Sequence, residues 1–179
     1  MSDRTGIASL GEIMQLAFVP PDFDAAIEHW VGTMGVGPFF LMEGIHLEGM
    51  KYKGSPTDAH FDLALAYWGD LQVELIRPRD THPSIYTGYY AEGLKGGLHH
   101  VCLLVEDIAE AYAACEVHGA EIVIEGSLGA SRVIYADPGS GPGSLVEILQ
   151  PSPESPALFD MIKQAGVQWD GSEPLRNLG

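Results

Sequence analysis

Basic residues are scarce in this chain. Nine Lys and Arg stand against 25 Asp and Glu, and the formal net charge is −16 with histidine neutral. Such a charge repels nucleic acid and anionic membrane surfaces, and no basic run offsets it. A large anionic cofactor such as coenzyme A is not excluded by this, but no phosphate-binding cluster announces one. Cysteine is scarce as well. Cys102 and Cys115 fall in an expected strand and an expected helix, which favours reduced, buried thiols over a disulfide. No apolar run approaches the roughly 18 to 20 residues of a membrane-spanning helix. The N-terminus carries neither the basic patch nor the apolar run of a signal peptide, so a cytoplasmic protein is expected. What is abundant is apolar: 46% of 179 residues are hydrophobic. That supports the core of one domain or of two small fused modules.

The stretch Leu98-His99-His100-Val101-Cys102-Leu103-Leu104-Val105-Glu106-Asp107 reads as a buried strand running to a helix cap. Ile13-Met14-Gln15-Leu16-Ala17-Phe18-Val19-Pro20-Pro21-Asp22 has the same layout, with Gln15 opposite His100 and Asp22 opposite Asp107. From these anchors the chain divides. After a loose lead-in over 1–10, a strand is expected over 11–19 and an amphipathic helix behind Asp22, broken by Gly32, Gly35 and Gly37. Pro38 to Met42 reads as a short strand, and residues 46–58 as an exposed loop. Strands at 60–68 and 71–76 follow, joined by a tight turn at Gly69-Asp70. A connector over 81–97, with a short helix near 86–91, leads to the second half.

That half repeats the order. It has a strand over 98–105, a helix over 107–118 ended by Gly119, and strands at 121–125, 130–136 and 144–149. The closing strands match: Val73-Glu74-Leu75-Ile76-Arg77-Pro78 against Val146-Glu147-Ile148-Leu149-Gln150-Pro151. The expected fold is α+β, with two tandem βαβββ modules (11–80 and 98–150) whose mixed sheets curl around a central cleft. Residues 151–179 form a tail with a short helix near 157–165 and a polar end.

Four polar residues interrupt apolar strands at equivalent places: Gln15 and Glu74, then His100 and Glu147. An isolated ionised carboxylate in such a setting costs several kcal/mol or more, so it needs a partner. Two of them facing one cleft repel, unless one is protonated or a divalent cation balances both. Two carboxylates, an imidazole and an amide oxygen make a one-nitrogen, three-oxygen donor set that suits Ni, Co, Mn or Fe, with Zn also possible.

This arrangement resembles the vicinal oxygen chelate superfamily, which includes glyoxalase I, methylmalonyl-CoA epimerase, bleomycin-resistance proteins and extradiol dioxygenases. The resemblance covers about residues 11–150, and Gln15, Glu74, His100 and Glu147 fall on the family's four metal-ligand positions. Their order matches one form of glyoxalase I; the epimerases are similar but usually have His first and Gln second. The Gly35-Val36-Gly37-Pro38-Phe39-Phe40 element and the Trp169-Asp170-Gly171 tail resemble a bacterial subgroup of glyoxalase-like proteins. The resemblance implies one divalent metal ion and a small-molecule substrate with vicinal oxygens. It also implies proton transfer next to a carbonyl through a metal-stabilised enediolate, as in an isomerase, epimerase or lyase. Glu147 is the expected base, and Glu74 the second base on the opposite face. The basic residues that bind glutathione in glyoxalase I are not matched here. A homodimer is expected by resemblance, since open sheet edges need cover.

Each of these residues also has a plainer reading. Glu74 and Glu147 could be solvent-facing residues of edge strands, and Gln15 a polar strand residue. His99 is expected on the convex face, packed under a helix; a one-residue shift of register would exchange it with His100. Arg132, His60 and Tyr67 are candidates to contact substrate, against ordinary surface placement. Trp68, Phe39, Phe40 and Tyr135 read as core. Two rival functions remain: an extradiol-type dioxygenase, which needs a second histidine where Gln15 stands, and a metal-free protein that sequesters a small molecule.

Overall fold

The computed structural model describes residues 6–178. The first five residues of the expected lead-in over 1–10, and the last residue of the chain, lie outside them. Asp22 caps the first helix by accepting the Ala25 N–H at 2.9 Å, and Asp107 caps the second by accepting that of Ala109 at 2.8 Å. The second helix ends at Gly119, whose φ of 69° is the left-handed conformation that glycine adopts without steric cost.

The first module comprises β1 (Ile13–Phe18), α1 (Phe23–Gly32), β2 (Phe39–Ile45), β3 (Glu48–Tyr52), β4 (Ser55–Pro56), β5 (Phe61–Trp68) and β6 (Leu71–Pro78). The second comprises β7 (Leu98–Leu104), α2 (Ile108–His118), β8 (Glu121–Leu128), β9 (Ser131–Asp137) and β10 (Leu145–Gln150). α3 (Ser155–Val167) and β11 (Leu175–Asn177) form the tail. All strands share one mixed sheet in the order β11-β2-β5-β6-β1-β7-β10-β9-β8-β3-β4. This is the expected α+β fold. Each module contributes four consecutive strands, and antiparallel pairing of β1 with β7 joins them.

Strand alternation gives the sheet two faces. On the convex face, Ala64, Ala66, Val73 and Leu75 pack with Phe23 and Ile27 of α1. Ile134, Ala136 and Ile148 pack with Ile108, Ala111 and Cys115 of α2. The concave face is lined by Phe61, Leu63, Leu65, Val133, Tyr135 and Leu149, among others. No helix among the described residues is long and apolar enough to cross a membrane.

Three expectations are corrected. Residues 46–58 are not a plain exposed loop. They carry β3 and β4, and β3 pairs with β8 of the other module. Met50 is buried, and Lys51 meets Glu125 at 2.7 Å. Gly49, at φ 64°, shifts the register between Glu48 and Lys51, which hides the strand's alternation in the sequence. The tail does not end as a polar coil, because β11 pairs in parallel with β2, Leu175 opposite Phe39. The connector holds only a 3-10 turn at Gly88–Tyr90, since Gly88 at φ 62° cannot continue an α-helix. The outer edges of β2 and β8 are thus covered by β11 and β3 of the same chain, so covering them does not require a second copy.

Candidate active site

β6, β1, β7 and β10 lie side by side at the middle of the sheet. Parallel pairing sets Ala17 opposite Glu74 and Cys102 opposite Glu147, while antiparallel pairing sets Ala17 opposite His100 and Gln15 opposite Cys102. Two small side chains, Ala17 and Cys102, therefore floor the space into which the larger polar ones reach. The repeat seen in the sequence becomes an approximate two-fold relation in space: Gln15 matches His100, and Glu74 matches Glu147.

Glu74, His100 and Glu147 are all buried, and one ligand-type atom from each lies within 4.8 Å of the others. His100 Nε2 is 3.2 Å from Glu147 Oε2 and 3.4 Å from Glu74 Oε2. The Glu147 contact is a hydrogen bond; Glu74 Oε2 makes none. Burial opposes charge on His100, but the hydrogen bond to Glu147 and the negative charge of both carboxylates outweigh it and raise its pKa to about 9. Burial raises the Glu74 pKa, and the charge of Glu147 adds to this while His100 opposes it.

Gln15 is also buried. Its amide nitrogen donates to Gln72 Oε1 at 2.6 Å, and Gln72 donates in turn to the Tyr67 hydroxyl at 3.2 Å. This chain leaves Gln15 Oε1 as an acceptor with no donor, as is Glu74 Oε2. Buried acceptors of this kind are rare in folded proteins and call for an explanation. Both residues line the same cleft, and a cation is what two donor-less oxygens, a second carboxylate and an imidazole can share. The donor set fits a divalent metal.

His99 does not pack under a helix. β7 carries one extra residue relative to β1 here, with Ala17 opposite His100 and Phe18 opposite Leu98. This bulge turns the His99 ring under the connector. Its Nε2 lies 2.8 Å from the Ile85 carbonyl oxygen, and its Nδ1 lies 2.9 Å from His100 Nδ1. Burial and the nearby His100 charge lower its pKa to about 3, against the bond to Ile85.

The other candidates separate. Tyr67 reaches the site only through Gln72. Arg132 is exposed and lines an outer groove with Tyr112 and Glu125, because the inward positions of β9 belong to Val133 and Tyr135. His60 lies outside the cleft, stacked on His46 with ring centroids 4.8 Å apart. Trp68 is 54% exposed and meets Trp30 edge-on rather than joining the core. Tyr135 lines the cleft, with its ring 5.1 Å from that of His100. Burial and the carboxylate charges push the Tyr135 phenol and the Cys102 thiol well up, so both stay neutral.

Sequence reading missed Gln72 as a cleft residue. It had a signal, being polar two residues before Glu74 and so on the same face. Cys102, two residues after His100, shares that residue's face by strand alternation and does line the cleft.

The cleft has a volume of about 150 Å³, and among the described residues no lysine or arginine lines it. Leu158 and Phe159 of α3 close one side. The tail is fastened beside it. A Cβ on Gly37 would sit 2.7 Å from the Trp169 ring, and the Phe39 N–H donates to the Pro174 carbonyl at 2.8 Å.

Comparison with known proteins agrees with this fold. A hypothetical protein from Bacillus halodurans C-125 superposes with a TM-score of 0.57 at 16% identity, covering 79% of this chain and 95% of its own. Methylmalonyl-CoA epimerase from Mycobacterium tuberculosis gives 0.54 at 21% identity, covering 86% and 95%. Streptomyces coelicolor methylmalonyl-CoA epimerase, in complex with 2-nitronate-propionyl-CoA, gives 0.53 at 21%, covering 81% and 97%. No curated protein matches in sequence. The family model described as Glyoxalase/Bleomycin resistance protein/Dioxygenase superfamily matches residues 14–135, and the chain belongs to that superfamily.

Proposed function

We propose that the protein is a divalent-metal-dependent enzyme that moves a proton beside a carbonyl group, as an isomerase, epimerase or lyase. The observation that carries this is the buried convergence of Glu74, His100 and Glu147, together with the two donor-less oxygens of Gln15 and Glu74. Gln15, Glu74, His100 and Glu147 would hold the ion. When bound, it supplies Lewis-acid polarisation of substrate oxygen.

The chain's own residues account for the proton. The Glu147 carboxylate takes it from the carbon next to the carbonyl, and either Glu147 or Glu74 returns one. Return by Glu147 to the neighbouring carbon gives isomerisation, and return by Glu74 to the opposite face of the original carbon gives epimerisation. Burial shifts Glu74 toward its protonated form, the form that return from the other side requires. Tyr135 and the aliphatic wall exclude water from the transfer.

The lining also bears on the substrate. With no cationic side chain among the described residues of its lining and about 150 Å³ of space, the cleft suits a small uncharged molecule with adjacent oxygens. No described lysine or arginine in the lining offers a partner to the anionic groups of glutathione or coenzyme A.

The test combines metal analysis with exchange in D2O. The purified protein is expected to hold a divalent ion that is lost in His100→Ala and Glu147→Ala. It should also exchange the carbon-bound proton of a small α-hydroxyketone, followed by NMR. No ion and no exchange, with a small apolar ligand binding equally to all three proteins, would replace this reading by a metal-free binding protein.

A further inference from the structure

We infer a second metal site outside the cleft, formed by His46, Asp58 and His60, which clips the β3–β4 arm to the body of the fold. One ring nitrogen of each histidine and one carboxylate oxygen of Asp58 lie within 4.8 Å of one another. The two imidazoles are stacked, with an interplanar angle of 25°, and His46 Nε2 lies 3.9 Å from Asp58 Oδ1.

In both rings one nitrogen is already held by the backbone. His46 Nδ1 lies 3.2 Å from the Ala59 carbonyl oxygen, and His60 Nδ1 lies 2.9 Å from that of Asp58. A carbonyl only accepts, so each Nδ1 carries the hydrogen. In the neutral ring each Nε2 then keeps its lone pair. Pinning one nitrogen to fix the tautomer of the other is the usual support of a metal-binding histidine. Asp80 adds negative charge, with Oδ2 3.4 Å from His60 Nδ1.

Ligands about 2.0–2.1 Å from a common Zn2+ stand about 3.3 Å apart in a tetrahedron. Closing the cluster from 4.8 Å needs only small rotations. The side chains have that freedom: His46 is 33% exposed, His60 40% and Asp58 73%. Two imidazoles and a carboxylate, with water in the fourth place, suit Zn2+ and the neighbouring ions Co2+, Ni2+ and Cu2+. The net charge of −16 favours their approach.

The position gives the site its role. His46 lies where β2 leaves the body, and Asp58 and His60 lie where the chain returns to β5. Between them runs the arm whose β3 crosses to pair with β8, and Ile45 and Leu47 at its root line the cleft. An ion held by both ends of this excursion closes the loop and stiffens one cleft wall.

The experiment is a calorimetric titration with Zn2+ of the chelator-treated full chain, alongside His46→Gln and His60→Gln. Both residues are part-exposed, so both variants are expected to fold. The unaltered protein should bind one more Zn2+ per chain than either variant. Zn2+ should also raise hydrogen-exchange protection over residues 46–58 in the unaltered protein alone. Equal stoichiometry and equal protection in all three proteins would overturn the proposal. Failure of the cleft reading would lower the count equally in all three and leave this difference intact.

Discussion

His99 Nδ1 and His100 Nδ1 lie 2.9 Å apart, so one proton serves both nitrogens. Its place follows from the far side of the His99 ring. The Ile85 carbonyl can only accept, so His99 Nε2 carries a hydrogen. Burial keeps His99 neutral, and its Nδ1 must therefore accept from His100. His100 Nε2 is left to face Glu74 and Glu147. A backbone carbonyl beyond the site thus sets which nitrogen of His100 is offered to a cation.

His99→Leu keeps most of the volume but removes the acceptor. Affinity of the cleft for a divalent ion, measured by competition with a chromogenic chelator, is expected to fall about 10- to 100-fold. His99→Gln offers a carbonyl oxygen in its place and should recover much of the loss. Unchanged affinity in both variants would remove His99 from the argument.

Asp62 supplies a pH dependence away from the cleft. Its carboxylate is fully buried and receives Arg77 Nη2 at 2.6 Å, Arg79 Nε at 2.5 Å and the Gly44 N–H at 2.8 Å. Burial raises its pKa, but the bonds from Arg79, Gly44 and Arg77 prevail and hold it below the ordinary value of 3.8. A depressed carboxylate contributes stability that is present above its unfolded pKa and lost as pH falls through its folded one. Asp62→Asn is expected to cost about 2 kcal/mol at pH 7, less than a fully buried pair because both arginines are part-exposed. Chemical denaturation should show the gap to the unaltered protein narrowing below about pH 4. A gap independent of pH would contradict the assignment.

Beside the β11–β2 pairing, one close contact ties the tail to the body. With the Trp169 ring where a Gly37 Cβ would be, Gly37→Ala forces the indole out. The expected loss is about 1–3 kcal/mol, read as a lower melting temperature. Hydrogen exchange in β11 and β2 should rise with it. Combining Gly37→Ala with Trp169→Leu should cost less than the sum of the two single changes. Full additivity would show that the two residues do not interact.

Much of the framework was legible because it rests on local chemistry. Asp22 and Asp107 announce helix caps, Gly119 announces a helix end, and the matched runs around Gln15, Glu74, His100 and Glu147 announce a duplication. Strand alternation set Glu74 and Glu147 at equivalent places among apolar neighbours, and the resemblance implied that this face is the cleft side. β3 was illegible because Gly49 breaks its period and its partner β8 lies in the other module. β11 was illegible because a three-residue strand has no pattern of its own and exists only by pairing with β2.

By itself, then, the order of residues determined the repeated modules and the acidic, amide and imidazole side chains available to a cleft. Those follow from periodicity, which is a property of neighbouring residues. Tertiary structure alone decided that His99 supports His100, that Gln72 turns the Gln15 amide, and that Arg132 and His60 point elsewhere. A bulge, a shared hydrogen bond and a strand face are relations between segments far apart in the chain, and no local pattern encodes them.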